Sequence, residues 1–76
     1  MTKERVIIPY KQILNVQYAI APDGTILPSR IDVGGKEYPI MVLRFREVSP
    51  ARWRYTVRMG ERKLNLFRAG HDWWAE

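Results

Sequence analysis

The chain has 76 residues, with 13 Lys and Arg against 8 Asp and Glu, which gives a formal net charge of +5. This length predicts a single small domain over residues 1–76, and an apolar content of 46% is too high for a disordered tail. No apolar run approaches the roughly 18 residues of a membrane span, and the lack of cysteine excludes disulfides and thiolate metal sites. The apolar stretch at residues 6–8 is short for a secretory leader, so we expect a cytoplasmic protein with no membrane partner.

Turn-forming residues recur about every ten residues and separate short runs that are rich in β-branched and aromatic side chains. The expected turns are Pro22-Asp23-Gly24, Gly34-Gly35, Ser49-Pro50, Gly60-Glu61 and Ala69-Gly70. The runs between them predict strands at residues 13–20, 25–33, 36–46, 52–59, around 63–66 and at 72–75. Because closure hides the edges of so short a meander, we predict an all-β fold, a small antiparallel meander closing into an SH3-like barrel of about 5–6 strands.

Alternation within the runs predicts which side chains enter the core, since successive residues of a strand point to opposite faces. The residues predicted to face inward are Trp53, Tyr55, Val57 and Met59 in the fourth run, Leu14, Val16, Tyr18 and Ile20 in the first, and Met41, Leu43 and Phe45 in the third. In the third run Ile40 and Val42 share the parity of the arginines that follow. That strand is therefore either covered on both faces at its start or interrupted by a β-bulge.

Positive charge is concentrated in residues 44–68, which hold eight basic and two acidic side chains. On the predicted pleat these cations line the face opposite the core, and guanidinium groups suit phosphate because they donate bidentate hydrogen bonds. The predicted nucleic-acid-binding residues are Arg44, Arg46, Arg52, Arg54, Arg58, Lys63 and Arg68. The alternative is a solvated face on which cations only deter aggregation.

Adjacent aromatic residues add a second expectation. Trp73 and Trp74 are neighbours in the final run, so both rings cannot enter one core, and Phe67 likewise opposes Leu66. We predict Phe67 and Trp74 as residues that stack on bases or dock a protein partner. The alternative is that such a ring seals the end of the barrel.

Residues suited to catalysis are sparse. His71 is the single histidine and follows Gly70 in an expected turn, where a solvated side chain is typical. No spacing brings a nucleophile, a base and an orienting group together, and neither a set of metal ligands nor a glycine-rich phosphate loop is present. We therefore predict a non-enzyme that uses no metal and no cofactor.

Several phrases of the sequence occur together in a recognisable order. They are Pro22-Asp23-Gly24-Thr25-Ile26, Gly35-Lys36-Glu37-Tyr38-Pro39-Ile40, Arg54-Tyr55-Thr56-Val57-Arg58-Met59-Gly60, and Leu66-Phe67 followed by Gly70 and Trp73-Trp74-Ala75-Glu76. The pattern resembles a family of small uncharacterised bacterial proteins that are often encoded beside Y-family (translesion) DNA polymerase genes. The resemblance covers residues 13–76, mostly at turn and core positions, and implies an accessory role around DNA repair or replication.

Two functional hypotheses follow. The first is a small accessory module that binds nucleic acid, or a nucleoprotein complex, through its basic sheet face and without reading the base sequence. The second is a protein–protein interaction adaptor for a polymerase or another partner, or a homodimer, that uses exposed aromatic residues or a free strand edge. The type of nucleic acid and the oligomeric state are left open.

Overall fold

The computed structural model describes residues 6–76 and contains seven antiparallel β-strands. The strands are β1 (Ile13–Ile20), β2 (Ile26–Val33), β3 (Lys36–Pro39), β4 (Met41–Ser49), β5 (Arg52–Met59), β6 (Arg62–Ala69) and β7 (Asp72–Ala75). No helix occurs within the described residues, and the all-β prediction is confirmed. Residues 1–5, which include the charged start of the segment considered as a leader, lie outside the described part of the chain.

All seven strands belong to one sheet in the order β3-β2-β1-β7-β6-β5-β4. The two edge strands, β3 and β4, are consecutive in the chain, and Ile40 alone separates them. The sheet therefore curls until its two edges approach each other, which produces a half-barrel in which β2 also contacts β4. At this corner the backbone N–H of Ile40 donates to the carbonyl of Ser29 at 2.9 Å.

The single strand predicted over residues 36–46 is thus two strands, and the sheet has seven strands where five or six were expected. Pro39 ends β3 because proline has no N–H to continue a ladder. Beyond Ile40 the chain leaves β2 and pairs with β5 instead. The predicted hairpins are otherwise retained, and the short β7 joins the two halves of the sheet by pairing with both β6 and β1. The predicted closure into a barrel is incomplete, because the edge strands β3 and β4 do not pair with each other.

The core lies on the concave face of the half-barrel. Its buried side chains come mainly from β1, β5, β6 and β7, and they are Leu14, Val16, Ile31, Tyr55, Val57, Leu66, Trp73 and Ala75. The alternation predicted for β5 is confirmed, since Tyr55, Val57 and Met59 are buried and Trp53 packs half-buried against the core. In β6, Leu66 is fully buried between neighbours from both adjacent strands.

Two strands carry predicted core residues that are not buried. In β1 the alternation is kept, because the extra residue of the register shift is Ser29 of β2, but the strand continues beyond the core, so that Tyr18 and Ile20 are 41% and 66% exposed. In β4 the register shifts between Val42 and Arg44. Met41 therefore pairs with Arg58 on the convex side, whereas Phe45 pairs with the buried Tyr55. The prediction that Met41, Leu43 and Phe45 face the core is correct for the side of Phe45 and wrong for Met41.

The expected turns connect the strands. Gly34 and Gly35 both have positive φ, 60° and 82°, as the turn between β2 and β3 requires. In the turn between β1 and β2, Oδ1 of Asp23 accepts a hydrogen bond from the N–H of Thr25 at 2.9 Å. This bond, together with one from the Thr25 side chain, lowers the pKa of Asp23 below its ordinary value.

Candidate functional site

A continuous row of side chains crosses the convex face of the sheet from β4 to β7. Arg46 pairs with Arg54, Arg54 with Phe67, and Phe67 with Trp74. Directly paired residues of antiparallel strands project to the same side, so these four side chains share one surface. Leu66, adjacent to Phe67, is buried on the opposite side.

Four more cations join this convex surface. Arg44 pairs with Thr56 and Arg58 pairs with Lys63, and both pairs lie beyond Arg54 toward the Met59 end of β5. The guanidinium of Arg52 reaches past its partner Ala69 and lies 5.4 Å from the ring centroid of Trp74. We call the resulting surface the basic face; it consists of Arg44, Arg46, Arg52, Arg54, Arg58 and Lys63.

The bulge in β4 determines that Arg44 and Arg46 belong to the basic face. Val42 pairs with the buried Val57 on the concave side, and Leu43 is the extra residue. Arg44 then pairs with Thr56 on the convex side, whereas unbroken alternation would have placed it on the side of Val42. Of the two explanations open from the sequence, the bulge is confirmed.

Three guanidinium groups line one depression at the β4–β5 end of the basic face. The depression has a volume of about 190 Å³ and is bordered by Arg44, Arg46 and Arg54, with Phe45 and Thr56. The hydroxyl of Thr56 donates to the side-chain oxygen of Asn65 at 3.2 Å. The lining contains no carboxylate, so like charges are held together without neutralisation.

No member of the basic face lies within ion-pair distance of a carboxylate of any described residue. Elsewhere in residues 6–76, Arg30 and Glu37 form an ion pair at 3.4 Å between β2 and β3. The two halves of the sheet therefore differ: Glu37 pairs with Arg30 of β2, whereas the cations of the basic face have no carboxylate partner among the described residues. An uncompensated cluster of this kind raises the local concentration of anions.

Phe67 and Trp74 form a stacked pair on the convex face, with ring centroids 5.9 Å apart and planes inclined by 14°. Both rings are half-buried. The indole N–H of Trp74 donates to the carboxylate of Glu76 at 2.6 Å, which orients the ring. As predicted from their adjacency, Trp73 and Trp74 divide between the two faces, and Trp73 is 2% exposed in the core.

Arg68 is placed apart from the other predicted cations. It pairs with Trp53 and Trp73 on the concave side, where its Nε donates to the Tyr55 hydroxyl at 3.3 Å and a terminal nitrogen donates to the carbonyl of Gly70 at 3.1 Å. Its guanidinium also lies 5.9 Å from the ring centroid of Trp73. These contacts are those of a structural arginine that bridges core aromatic residues.

A chain of five aromatic rings on the concave face was not predicted as a surface feature. Ring centroids 5.3 to 6.1 Å apart connect Tyr18, Trp73, Tyr55, Phe45 and Trp53 in that order. Two of the five aromatic residues, Tyr18 and Phe45, are each 41% exposed. The sequence signals these residues only as core aromatics, because nothing local indicates that β4 has no second neighbour.

Groups suited to catalysis do not converge in the part of the chain that the structure describes. No cluster of three or more His, Asp or Glu side chains could hold a metal ion there. His71 is exposed in the turn before β7. Within residues 6–76 no helix is long and apolar enough to cross a bilayer.

Comparison with family models, curated proteins and solved structures gives no match, so the function is inferred from the residues alone.

Proposed function

We propose that this half-barrel, SH3-like in size, is a non-enzymatic accessory module of the cytoplasm that binds nucleic acid, or a nucleoprotein complex, through its basic face. The observation that carries the proposal is the placement of six cations on one convex surface with no carboxylate partner among the described residues. The resemblance to proteins encoded beside translesion polymerase genes supports a setting in DNA repair or replication.

Phosphate contacts would supply the affinity. Each guanidinium can donate two parallel hydrogen bonds to a phosphate, and the depression bordered by Arg44, Arg46 and Arg54 offers three such groups at one point. Binding of a phosphate there relieves the mutual repulsion of the cations and releases counterions from the nucleic acid. Phosphate contacts carry no information about the bases, so we expect the binding to be independent of sequence.

A fluorescence anisotropy titration with a short labelled oligonucleotide at low salt tests the proposal. The double variant Arg46→Gln/Arg54→Gln should bind at least about tenfold more weakly than the unaltered chain, because two charge-assisted contacts are lost. Arg30→Gln is a control that removes an exposed positive charge from β2, where it is paired with Glu37. If the unaltered chain fails to bind, or if the control weakens binding as much as the double variant, the proposal is refuted.

The β4 edge supports a second candidate, an adaptor for a polymerase or another protein. β4 has a hydrogen-bonded neighbour on one side only, and its apolar residues Leu43, Phe45 and Val48 are 42%, 41% and 37% exposed. A partner strand added to this edge would cover them. Such binding should tolerate salt and should fail in Phe45→Ser but not in Arg54→Gln, and sedimentation would identify pairing between two copies of the chain.

A further inference from the structure

We propose that the basic face takes a single strand of nucleic acid in preference to a duplex, with an unpaired base stacked on the ring surface formed by Phe67, Trp74 and the guanidinium of Arg52. This inference rests on the proposed function and names the substrate class of the same surface. It draws on three independent features: the aromatic pair, the acidic border beside it and the curvature of the sheet.

The aromatic pair lies where a base can reach it. Phe67 and Trp74 are directly in line with Arg54 and Arg46, and neighbouring strands are about 4.8 Å apart, so the row from Arg46 to Trp74 spans about 14 Å. Sheets of similar width that carry aromatic residues on their surface stack two or three bases of single-stranded RNA. Arg52, held over Trp74, adds a planar group on which a base can also stack.

The charges on the two sides of the Phe67–Trp74 pair determine where the sugar–phosphate backbone of the nucleic acid lies. On the β7 side lie two acids, Asp72, which pairs with Ala69, and Glu76, which accepts the indole N–H of Trp74. On the β4–β5 side lie the three arginines of the depression. Phosphates are repelled from the first side and attracted to the second, so the sugar–phosphate backbone follows β4 and β5 while the base turns toward β6 and β7.

The curvature of the basic face favours the binding of a single strand over that of a duplex. The basic face is the outside of a half-barrel and is therefore convex. A duplex is also convex and is stiff over about 150 base pairs, so it touches such a surface along a narrow strip, and its bases are stacked within the helix. A single strand bends around the sheet and exposes its bases, and each base stacked on an aromatic ring strengthens binding by roughly 5- to 150-fold.

The test compares a labelled single-stranded oligonucleotide with a hairpin duplex of equal phosphate number at the same salt concentration. We expect the unaltered chain to bind the single strand at least about tenfold more tightly. Trp74→Leu should reduce single-strand affinity by roughly 5- to 150-fold and leave duplex affinity unchanged. Phe67→Leu is a second variant in case Trp74→Leu unfolds, and Tyr18→Leu is the control, since it removes an exposed ring from the concave face.

The outcomes separate this inference from the proposed function. Equal affinity for both oligonucleotides, or equal weakening of both by Trp74→Leu, would overturn the single-strand inference and leave the basic face as a phosphate-binding surface. Binding to neither oligonucleotide would overturn the proposed function as well. Loss of single-strand binding in Tyr18→Leu would overturn the inference, because it would place the binding site on the concave face.

Discussion

The salt dependence of binding gives the sharpest test of how many cations act together. Each phosphate neutralised on a single strand contributes about −0.7 to the slope of log affinity against log salt, so the six cations of the basic face predict a slope of about −4. Raising the salt concentration from about 50 to 200 mM should then weaken binding roughly 300-fold. Few explanations other than multiple phosphate contacts give so steep a dependence.

Removal of two cations should change this slope by a predictable amount. Arg46→Gln/Arg54→Gln leaves four cations, for which the expected slope is about −3 and the loss of affinity over the same salt range is roughly 50-fold. Anisotropy titrations at several salt concentrations measure both slopes, and Arg30→Gln should retain the steeper one because its guanidinium is paired with Glu37. A flat response in the unaltered chain, or identical slopes in the double variant and the unaltered chain, would contradict the assignment of these residues.

Three further predictions concern stability. Leu66→Ala should lower the free energy of unfolding, measured by urea titration, by about 2–5 kcal/mol. This is a large part of the total free energy of unfolding of roughly 4–11 kcal/mol that is typical of a chain of this length. An unchanged midpoint of the urea transition would contradict the assigned core. Arg68→Met removes the hydrogen bond to the buried Tyr55 hydroxyl and should cost about 1–3 kcal/mol while nucleic-acid affinity changes less than about twofold; a large loss of affinity would return Arg68 to the binding surface. The lowered pKa of Asp23, caused by the N–H of Thr25, stabilises the fold above the ordinary pKa and is lost as the pH falls through the lowered value. Asp23→Asn keeps an acceptor that does not titrate, so its Tm should depend less on pH in the acidic range, and an unaltered acid dependence would show that the bond is unimportant.

Local chemistry is sufficient to predict the turns, the two faces of β5 and every strand except the division of residues 36–46 into β3 and β4. The alternation of Tyr55 and Val57 with Arg54 and Arg58 needs no information from elsewhere in the chain, because the pleat alone separates them. The same reasoning correctly divided Trp73 from Trp74. In these segments the hydrophobic period and the turn residues agree, so the local and global preferences coincide.

The position of Arg68 shows that positive charge alone does not identify a nucleic-acid-binding residue. Arg68 has the parity of Leu66, which alternation assigns to the concave face, so its position was readable from the sequence. The prediction that Arg68 binds nucleic acid follows from its charge and does not take this parity into account. The contacts with Tyr55 and Trp73 that favour burial come from other strands and are not encoded locally.

Other features depend on where strands end relative to the core. The sequence indicates a conflict of parity in β4, but the backbone identifies Leu43 as the residue that absorbs it. Likewise, Tyr18 and Phe45 have the pattern of core residues and are exposed because β1 extends beyond the core and β4 is an edge. Neither fact can be derived from the residues of the strand itself, since burial is decided by what lies opposite.

The pairing of β1 with β7 has a consequence for how the chain acquires its structure. Most ladders join strands that are consecutive in sequence and can form as hairpins from their turns. In contrast, Ile13 pairs with Trp74 and Leu14 pairs with Trp73, which are separated by nearly the whole length of the chain. Closing so long a loop costs more entropy than forming a hairpin, so this step should be late and should limit the folding rate. Weakening the Leu14–Trp73 contact would then slow refolding more than it accelerates unfolding, which the two arms of a chevron plot would show.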